Sequence, residues 1–252
     1  MKKIGWRALA IFAIAFIISL IVTAPATLLA RMVEGGSNGR LLLANTSGTL
    51  WQGSATPAIR QHSGNLLVLE KLRWDVAVMP LFTGKVTILL RWDNVVQEQA
   101  MAVTIAFGQI EFRNALLPLP AGVLGELSPM LQPVQLSGQM FIKSDQFSFS
   151  GQGINGIAVA DWLNAGSVLS AMNPLGSYRI NLAGSGQQLD VSLMTFSGAL
   201  LLEGKGSFER NQGLRFQGTA RAAPDSKDSL NELLGNFGPE IAPGVHSLSL
   251  LR

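Results

Sequence analysis

YRINLAGSGQQLDVSLMT, residues 178–195, reads as two strands and a turn. Tyr178, Ile180 and Leu182 alternate with Arg179, Asn181 and Ala183. After Gly184-Ser185-Gly186, the residues Leu189, Val191, Leu193 and Thr195 alternate with Asp190, Ser192 and Met194. A period of two sends one set of side chains to each face of a pleated strand. The connection is short and turn-rich, which makes the two strands antiparallel neighbours.

The pattern extends in both directions. Downstream lie Leu200-Leu201-Leu202, the stretch Glu203 to Phe208, the turn Asn211-Gln212-Gly213, and then Leu214, Phe216, Gly218 and Ala220 interleaved with Arg215, Gln217, Thr219 and Arg221. Upstream, Arg40 to Gly53, Asn65 to Val78, Gly84 to Trp92, Ala100 to Phe112 and Val134 to Gly153 read as strands, about ten in all. Glycine recurs inside them, as in Ser47-Gly48-Thr49-Leu50-Trp51-Gln52-Gly53 and Phe196-Ser197-Gly198-Ala199. Strand glycine weakens packing but permits bulges, bends and close backbone approach, so the sheet is expected to be curved or part-closed.

Three interruptions look different. Leu116 to Gln132, with Pro118, Pro120 and Pro129 inside it and Pro133 just beyond, leaves room only for a short helix around Gly122 to Leu127. Asp161 to Met172 places Trp162, Leu163, Val168, Leu169 and Met172 at near-helical spacing ahead of Pro174. Asp225 to Phe237 offers a cap at Asp225 or Ser226 and an apolar stripe of Leu230, Leu233, Leu234 and Phe237 before Gly238-Pro239.

Ahead of all this lies an uncharged apolar run, Ala8 to Ala30, which holds 23 residues between Arg7 and Arg31. About 20 residues at 1.5 Å rise span a hydrocarbon core, which predicts a transmembrane anchor over 8–30. Lys2, Lys3 and Arg7 before it keep residues 1–7 in the cytoplasm, with 31–39 as a linker and 40–252 as a periplasmic β-rich domain. The alternative is a cleavable signal with an A-x-A site at Ala24-Pro25-Ala26, but Ala8 to Ala24 is longer than the usual signal-peptide core. The proline-rich stretch 116–133 is where two β sub-units of the exported part could meet.

The net charge of +3 resides in the N-terminal flanks, since Met32 to Arg252 carries 15 basic and 16 acidic residues. That composition argues against nucleic acid as a partner, because replacing condensed counterions needs clustered positive charge. With no cysteine, neither disulfides nor thiolate chemistry is available.

Gly35-Gly36-Ser37-Asn38-Gly39 matches a nucleophile elbow but lacks the strand before it and the helix after it, and it reads as part of the linker. Gly151-Gln152-Gly153-Ile154-Asn155-Gly156 matches a dinucleotide fingerprint but lacks the acidic residue about 20 positions on and any parallel βαβ setting. His62 and His246 are isolated, without ligand spacing. Trp51, Trp74, Trp92 and Trp162 read as core packers, or in the minority reading as interfacial aromatics. No catalytic, cofactor or metal constellation emerges. A periplasmic hydrolase would need an acid pair or a Ser/His/acid set that the sequence does not display.

The order of short motifs resembles the type II secretion system protein N family. They are Ser47 to Gly53, Trp74-Asp75, Pro174-Leu175-Gly176-Ser177-Tyr178 and Phe196-Ser197-Gly198 leading to Gly204-Lys205-Gly206. The likeness runs over nearly the whole chain, and more distantly the family is similar to AsmA-like envelope proteins. The resemblance implies a non-enzymatic accessory component, anchored in the inner membrane, whose partners are the secretin and the inner-membrane platform. The AsmA likeness implies the alternative of a groove or half-barrel that takes membrane lipid. Trp51 and Phe196 are the candidate interaction surface. The fold expected is therefore a transmembrane helix followed by a curved, mostly antiparallel sheet with two or three short helices.

Overall fold

The computed structural model describes residues 6–96, 98–128 and 131–251. Lys2, Lys3 and Pro129 lie outside the described residues, as does most of the segment 1–7. Two helices come first, α1 (Trp6–Val22) and α2 (Ala26–Gly36). The strands up to the middle of the chain are β1 (Leu41–Gly48), β2 (Gln52–Arg60), β3 (Leu66–Val68), β4 (Leu72–Ala77), β5 (Val86–Trp92), β6 (Met101–Ala106) and β7 (Gln109–Pro120). A one-turn helix, α3 (Val123–Leu127), precedes β8 (Ser137–Ser150), β9 (Gly153–Gly166), β10 (Gly176–Gly186), β11 (Gln188–Gly198), β12 (Leu200–Glu209) and β13 (Gly213–Ala222). Helix α4 (Lys227–Gly235), β14 (Glu240–Ala242) and β15 (Val245–Leu251) end the chain.

The fifteen strands form one antiparallel sheet, ordered β1-β2-β4 through β13 in sequence and then β15-β14, with β3 paired to β2. Neighbours in sequence are mostly neighbours in space because many of the connections are short turns: Gly108, Gly153, Gly186 and Gly213 all hold positive φ at hairpin ends. The sheet is open, with β1 at one end and β14 at the other. It is continuous across 116–133, where β7 pairs with β8 from Gln109 to Pro120. Pro118 and Pro120 are tolerated because β6 pairs only with residues 109–113, so no ladder bond to β6 calls for their missing N–H.

Several expectations are corrected. Among the described residues there are fifteen strands where about ten were expected: Arg40 to Gly53, Asn65 to Val78 and Ala100 to Phe112 each contain two, and β9, β14 and β15 fall in segments not read as strands. Thr49 to Trp51 and Phe107-Gly108 are hairpin connections hidden inside apolar runs. Asp161 to Met172 is not helical; β9 runs through to Gly166, held by pairs such as Trp162↔Tyr178 and Asp161↔Arg179. The near-helical spacing there is overridden by strand pairing on both sides. Ser226 occupies the N-cap position of α4, but its side chain makes no capping hydrogen bond.

The uninterrupted helix expected over 8–30 is also corrected: α1 stops at Val22 and α2 starts at Ala26. Pro25 lacks an N–H and stands extended (φ −73°, ψ 148°), which breaks the helical ladder. Instead the break is tied to the sheet: Pro25 bridges to Thr49, the Leu50 N–H donates to the Ala24 carbonyl at 2.8 Å, and Trp51 Nε1 donates to the Ile21 carbonyl at 2.8 Å. Among the described residues no helix is long and apolar enough to cross a membrane. Residues 31–39, read as a linker, are the last turns of α2 and its cap. Ser37 closes the helix, with its N–H on the Val33 carbonyl (3.0 Å) and its Oγ accepting from the Leu41 N–H (3.0 Å), while Asn38 and Gly39 take positive φ.

Three apolar clusters hold helices against one face of the sheet. Ala26 and Leu29 of α2 pack with Ala55, Trp74 and Leu90. Leu124 of α3 packs with Met140, Ala160 and Ile180. Leu230, Leu233 and Leu234 of α4 pack with Leu175, Leu200 and Ala220.

Candidate functional site

Strand register decides what this face carries. Cross-strand partners share a face, so the set can be traced from Trp74 to Leu90, from Leu90 to Met101, and from Ile88 through Val103 to Phe112. It continues from Phe112 to Phe147 and from Phe149 to Ile154, then through Ala160 to Ile180, Leu193 and, beyond Leu189, Phe208. It ends on Phe216 and its partner position 250 in β15. The run is apolar over the ten successive strands from β4 to β13. The opposite face carries Arg73, Asp75, Glu111, Lys143, Asp161 and Arg179 among its residues.

Bulges keep the parity. β8 gains one residue against β9 between Lys143 and Phe147, and Asn114 in β7 takes a positive φ at the same level. Both strands thus change phase together, and Leu119, Met140 and Trp162 remain on the face that holds Phe112 and Phe147.

Glycine and aromatic residues shape the same face. A Cβ on Gly204 would lie 2.5 Å from Phe216 Cζ, and one on Gly53 would lie 2.5 Å from Trp74 Cζ2. Each ring therefore lies flat across a strand that carries no side chain at that position. Removing bulk from one face lets the sheet curl toward it. The curl is visible at the hairpin ends: Arg210 at the β12–β13 turn donates to the Gly151 carbonyl at the β8–β9 turn (3.5 Å). In a flat sheet those turns would stand about 19 Å apart, four strand spacings. Phe149, Ile154 and Phe208, all from the apolar face, line the cleft enclosed between them.

Away from α2, coverage of the face is one-ended. Under the helices Leu200 and Leu230 are 2 % and 0 % exposed, whereas at the other end Ile105, Ile110 and Phe149 stand 43 %, 40 % and 43 % exposed. The backbone there is consumed by the ladder, so the open part presents hydrocarbon without hydrogen-bonding groups. Its chemistry is that of a surface for apolar matter.

The two residues singled out from sequence are not brought together. Trp51 is half-buried in the β1–β2 connection, bonded to the end of α1. Phe196 is the bulged residue of β11, 49 % exposed on the polar side, with the Arg179 guanidinium carbon 4.4 Å above its ring. Eight strand spacings separate β2 from β11, about 38 Å along the sheet. Arg179 also grips Asp161 with two bonds of 2.7 and 3.1 Å, while Lys143 stands 3.6 Å from the same carboxylate. The hydrogen bond from Arg179 holds the Asp161 carboxyl below its ordinary value, against the opposing effect of burial.

The remaining sequence candidates have structural partners. His62 Nδ1 lies 2.6 Å from Glu126 Oε2, and His246 Nδ1 lies 3.0 Å from the Gly238 carbonyl oxygen. Gly151 and Gln152 form the β8–β9 turn, and Gly153 to Gly156 begin β9. Trp74, Trp92 and Trp162 donate their indole N–H to the carbonyls of Leu50, Leu116 and Ser137, and Trp74 and Trp92 are buried. Sequence reasoning missed the continuity of the apolar face. Its signal was present in each strand's alternation but not in the alignment between strands.

A long, open, curved antiparallel sheet carrying a few short helices on its apolar face defines the class of protein: a mainly-β protein built on a single curved sheet. Residues 39–249, almost the entire sheet, match the family described as type II secretion system (T2SS), protein N. The chain belongs to that family and is a component of type II secretion. It is 28 % identical over 239 residues to the type II secretion system protein N of Aeromonas hydrophila, covering 93 % of each chain. Against that of Klebsiella pneumoniae it is 27 % identical over 232 residues, covering 89 % of this chain and 86 % of the relative. Against that of Pectobacterium carotovorum it is 22 % identical over 215 residues, covering 83 % and 82 %. No solved structure matches the chain.

Proposed function

We propose that this protein is a non-enzymatic accessory component of type II secretion, held at the inner membrane through α1 with its sheet in the periplasm. There it contacts the inner-membrane platform and the secretin. The observation that carries this reading is the family match along the length of the sheet. The anchoring part is supported by α1, whose residues Ile11, Phe12 and Ile14 are 69 %, 70 % and 58 % exposed, apolar surface that water does not stabilise. The helix is about 26 Å long at 1.5 Å per residue, a few ångströms short of a typical core, a mismatch that local thinning of the bilayer accommodates. Photo-cross-linkers at Trp51 and Phe196 in cells test the reading. Capture of secretin or platform subunits is the expected result, and unimpaired secretion in a strain lacking the protein would overturn it.

A second reading is favoured by the open half of the apolar face: it receives acyl chains of membrane lipid. The saturated backbone and the hydrocarbon lining suit an alkyl chain, which needs no hydrogen bonds, over an extended peptide, which does. Cross-linkers at Phe112 and Leu193 distinguish the two. Recovery of phospholipid or lipopolysaccharide from these positions moves the function to lipid handling, and recovery of secretion subunits alone removes the lipid reading.

A further inference from the structure

The end of the sheet joined to α1 differs in chemistry from the opposite end. Met79 and Phe82, in the single 3₁₀ turn Met79–Thr83 between β4 and β5, are 80 % and 82 % exposed, and Val78 beside them is 56 % exposed. Phe107, in the next hairpin turn, is fully exposed. The pair Val86↔Ile105 puts the residues preceding β5 and those following β6 at the same end. That end is also where α1 departs: the Val76 N–H donates to the Trp51 carbonyl at 2.7 Å, and Trp51 Nε1 donates to the Ile21 carbonyl. One linked series of contacts thus connects α1, the β1–β2 connection and the approach to the Met79–Thr83 turn.

Charge separates this part of the rim, the β4–β5 and β6–β7 connections, from the opposite end, while the β12–β13 turn farther along the same edge carries Glu209 and Arg210. Between Val76 and Leu90 the only charged residue is Lys85, and Ala106 to Ile110 contains none. The opposite end carries Glu126, Asp225, Lys227, Asp228 and Glu232 around α3 and α4. Large apolar side chains at loop tips, with one lysine and no acid, match the interfacial zone of a bilayer. Aromatic bodies settle there among the headgroups, and a lysine extends its ammonium to the phosphates.

We propose that this rim is a membrane-surface contact: Met79, Phe82 and Phe107 insert into the bilayer interface that α1 enters, with Lys85 at headgroup level. The inference rests on α1 lying in that membrane. Two attachments fix what a single helix leaves free, the tilt of the sheet. The uncovered end of the apolar face, with Ile105, Ile110 and Phe149, is thereby held at the bilayer, and the helix-capped end points away.

The chain has no cysteine, so single cysteines can be labelled without other changes. Met79→Cys, Phe82→Cys and Phe107→Cys report on the rim, Ile14→Cys on α1, and Leu169→Cys on the far end. Each full-length variant carries an environment-sensitive fluorophore in vesicles of phosphatidylethanolamine and phosphatidylglycerol. Lipid-borne nitroxide is expected to quench the three rim labels several-fold more than the Leu169 label, and iodide to do the reverse. Rim labels that iodide quenches as strongly as it does Leu169 would overturn the proposal, whatever the label in α1 reads. The Ile14 label decides the anchor separately: quenching by lipid nitroxide there beside water-exposed rim labels leaves α1 in the membrane and removes only the second contact.

Discussion

At the scale of single residues, a few polar groups sit where their bonds have consequences. Tyr178 is 1 % exposed, and its hydroxyl donates to the Leu200 carbonyl at 3.0 Å, reaching from β10 to β12; burial pushes its phenol pKa up. Tyr178→Phe leaves that carbonyl without its partner and is expected to cost about 1–2 kcal/mol, read as a lower urea midpoint at unchanged slope. An unchanged midpoint would mean that the bond contributes nothing. Asp161 supplies a pH dependence. Its folded-state pKa is depressed by Arg179, so its contribution to stability is present above the unfolded carboxylate value, about 4, and is lost as pH falls through the folded value. Acid unfolding of the native chain should therefore include a component that Asp161→Asn removes. Parallel stability curves for the two proteins between about pH 5 and pH 2 would count against it. The half-exposed Phe196 under Arg179 shows why the sequence could mark an aromatic residue but not its role. The cation stacked on it is seventeen positions away in the chain and adjacent only through the β10–β11 register.

At the scale of elements, the helices divide by what their apolar residues meet. The stripe Leu230, Leu233, Leu234 and Phe237 was legible in sequence because it repeats at helical spacing over a full face, and it packs as that spacing predicts. Leu230 is fully buried, so Leu230→Ala should lower stability by about 2–5 kcal/mol, measured by denaturant unfolding. A loss within about 0.5 kcal/mol would indicate that α4 is not docked in solution. The apolar run 8–30 was equally legible as hydrophobic, but its division into two helices was not. The exposed sides of α1 and the sheet-bound side of α2 look alike in composition. The break depends on Pro25 finding a strand partner in Thr49, a contact made 24 residues later in the chain. Similarly, Asp161 to Met172 looks helical in sequence although β9 runs through its first half, because residues three and four apart can satisfy either period over a short window.

At the scale of the whole molecule, the apolar face behaves differently at its two ends, and substitution can measure the difference. Leu200→Asn, placed under α4, is expected to destabilise by about 2–5 kcal/mol. Ile105→Asn, on the open end, should stay within about 1 kcal/mol because that side chain already borders solvent. Urea titrations of the two variants provide the check. Equal losses would show that the open end is covered in solution by another molecule or a second copy.

The sequence by itself determined the strand periods, the glycine turns between neighbouring strands, the α4 stripe, the apolar N-terminus and the likeness to the secretion family. These are local properties, readable within a window of a few residues. Tertiary structure alone decided that the apolar sets of successive strands fall on one face, that the sheet curls toward it, and that α1 leaves at the end where Met79, Phe82 and Phe107 are exposed. Those outcomes depend on register and bulges, where one inserted residue exchanges the faces of a strand, and no period within a single strand records the phase of its neighbour.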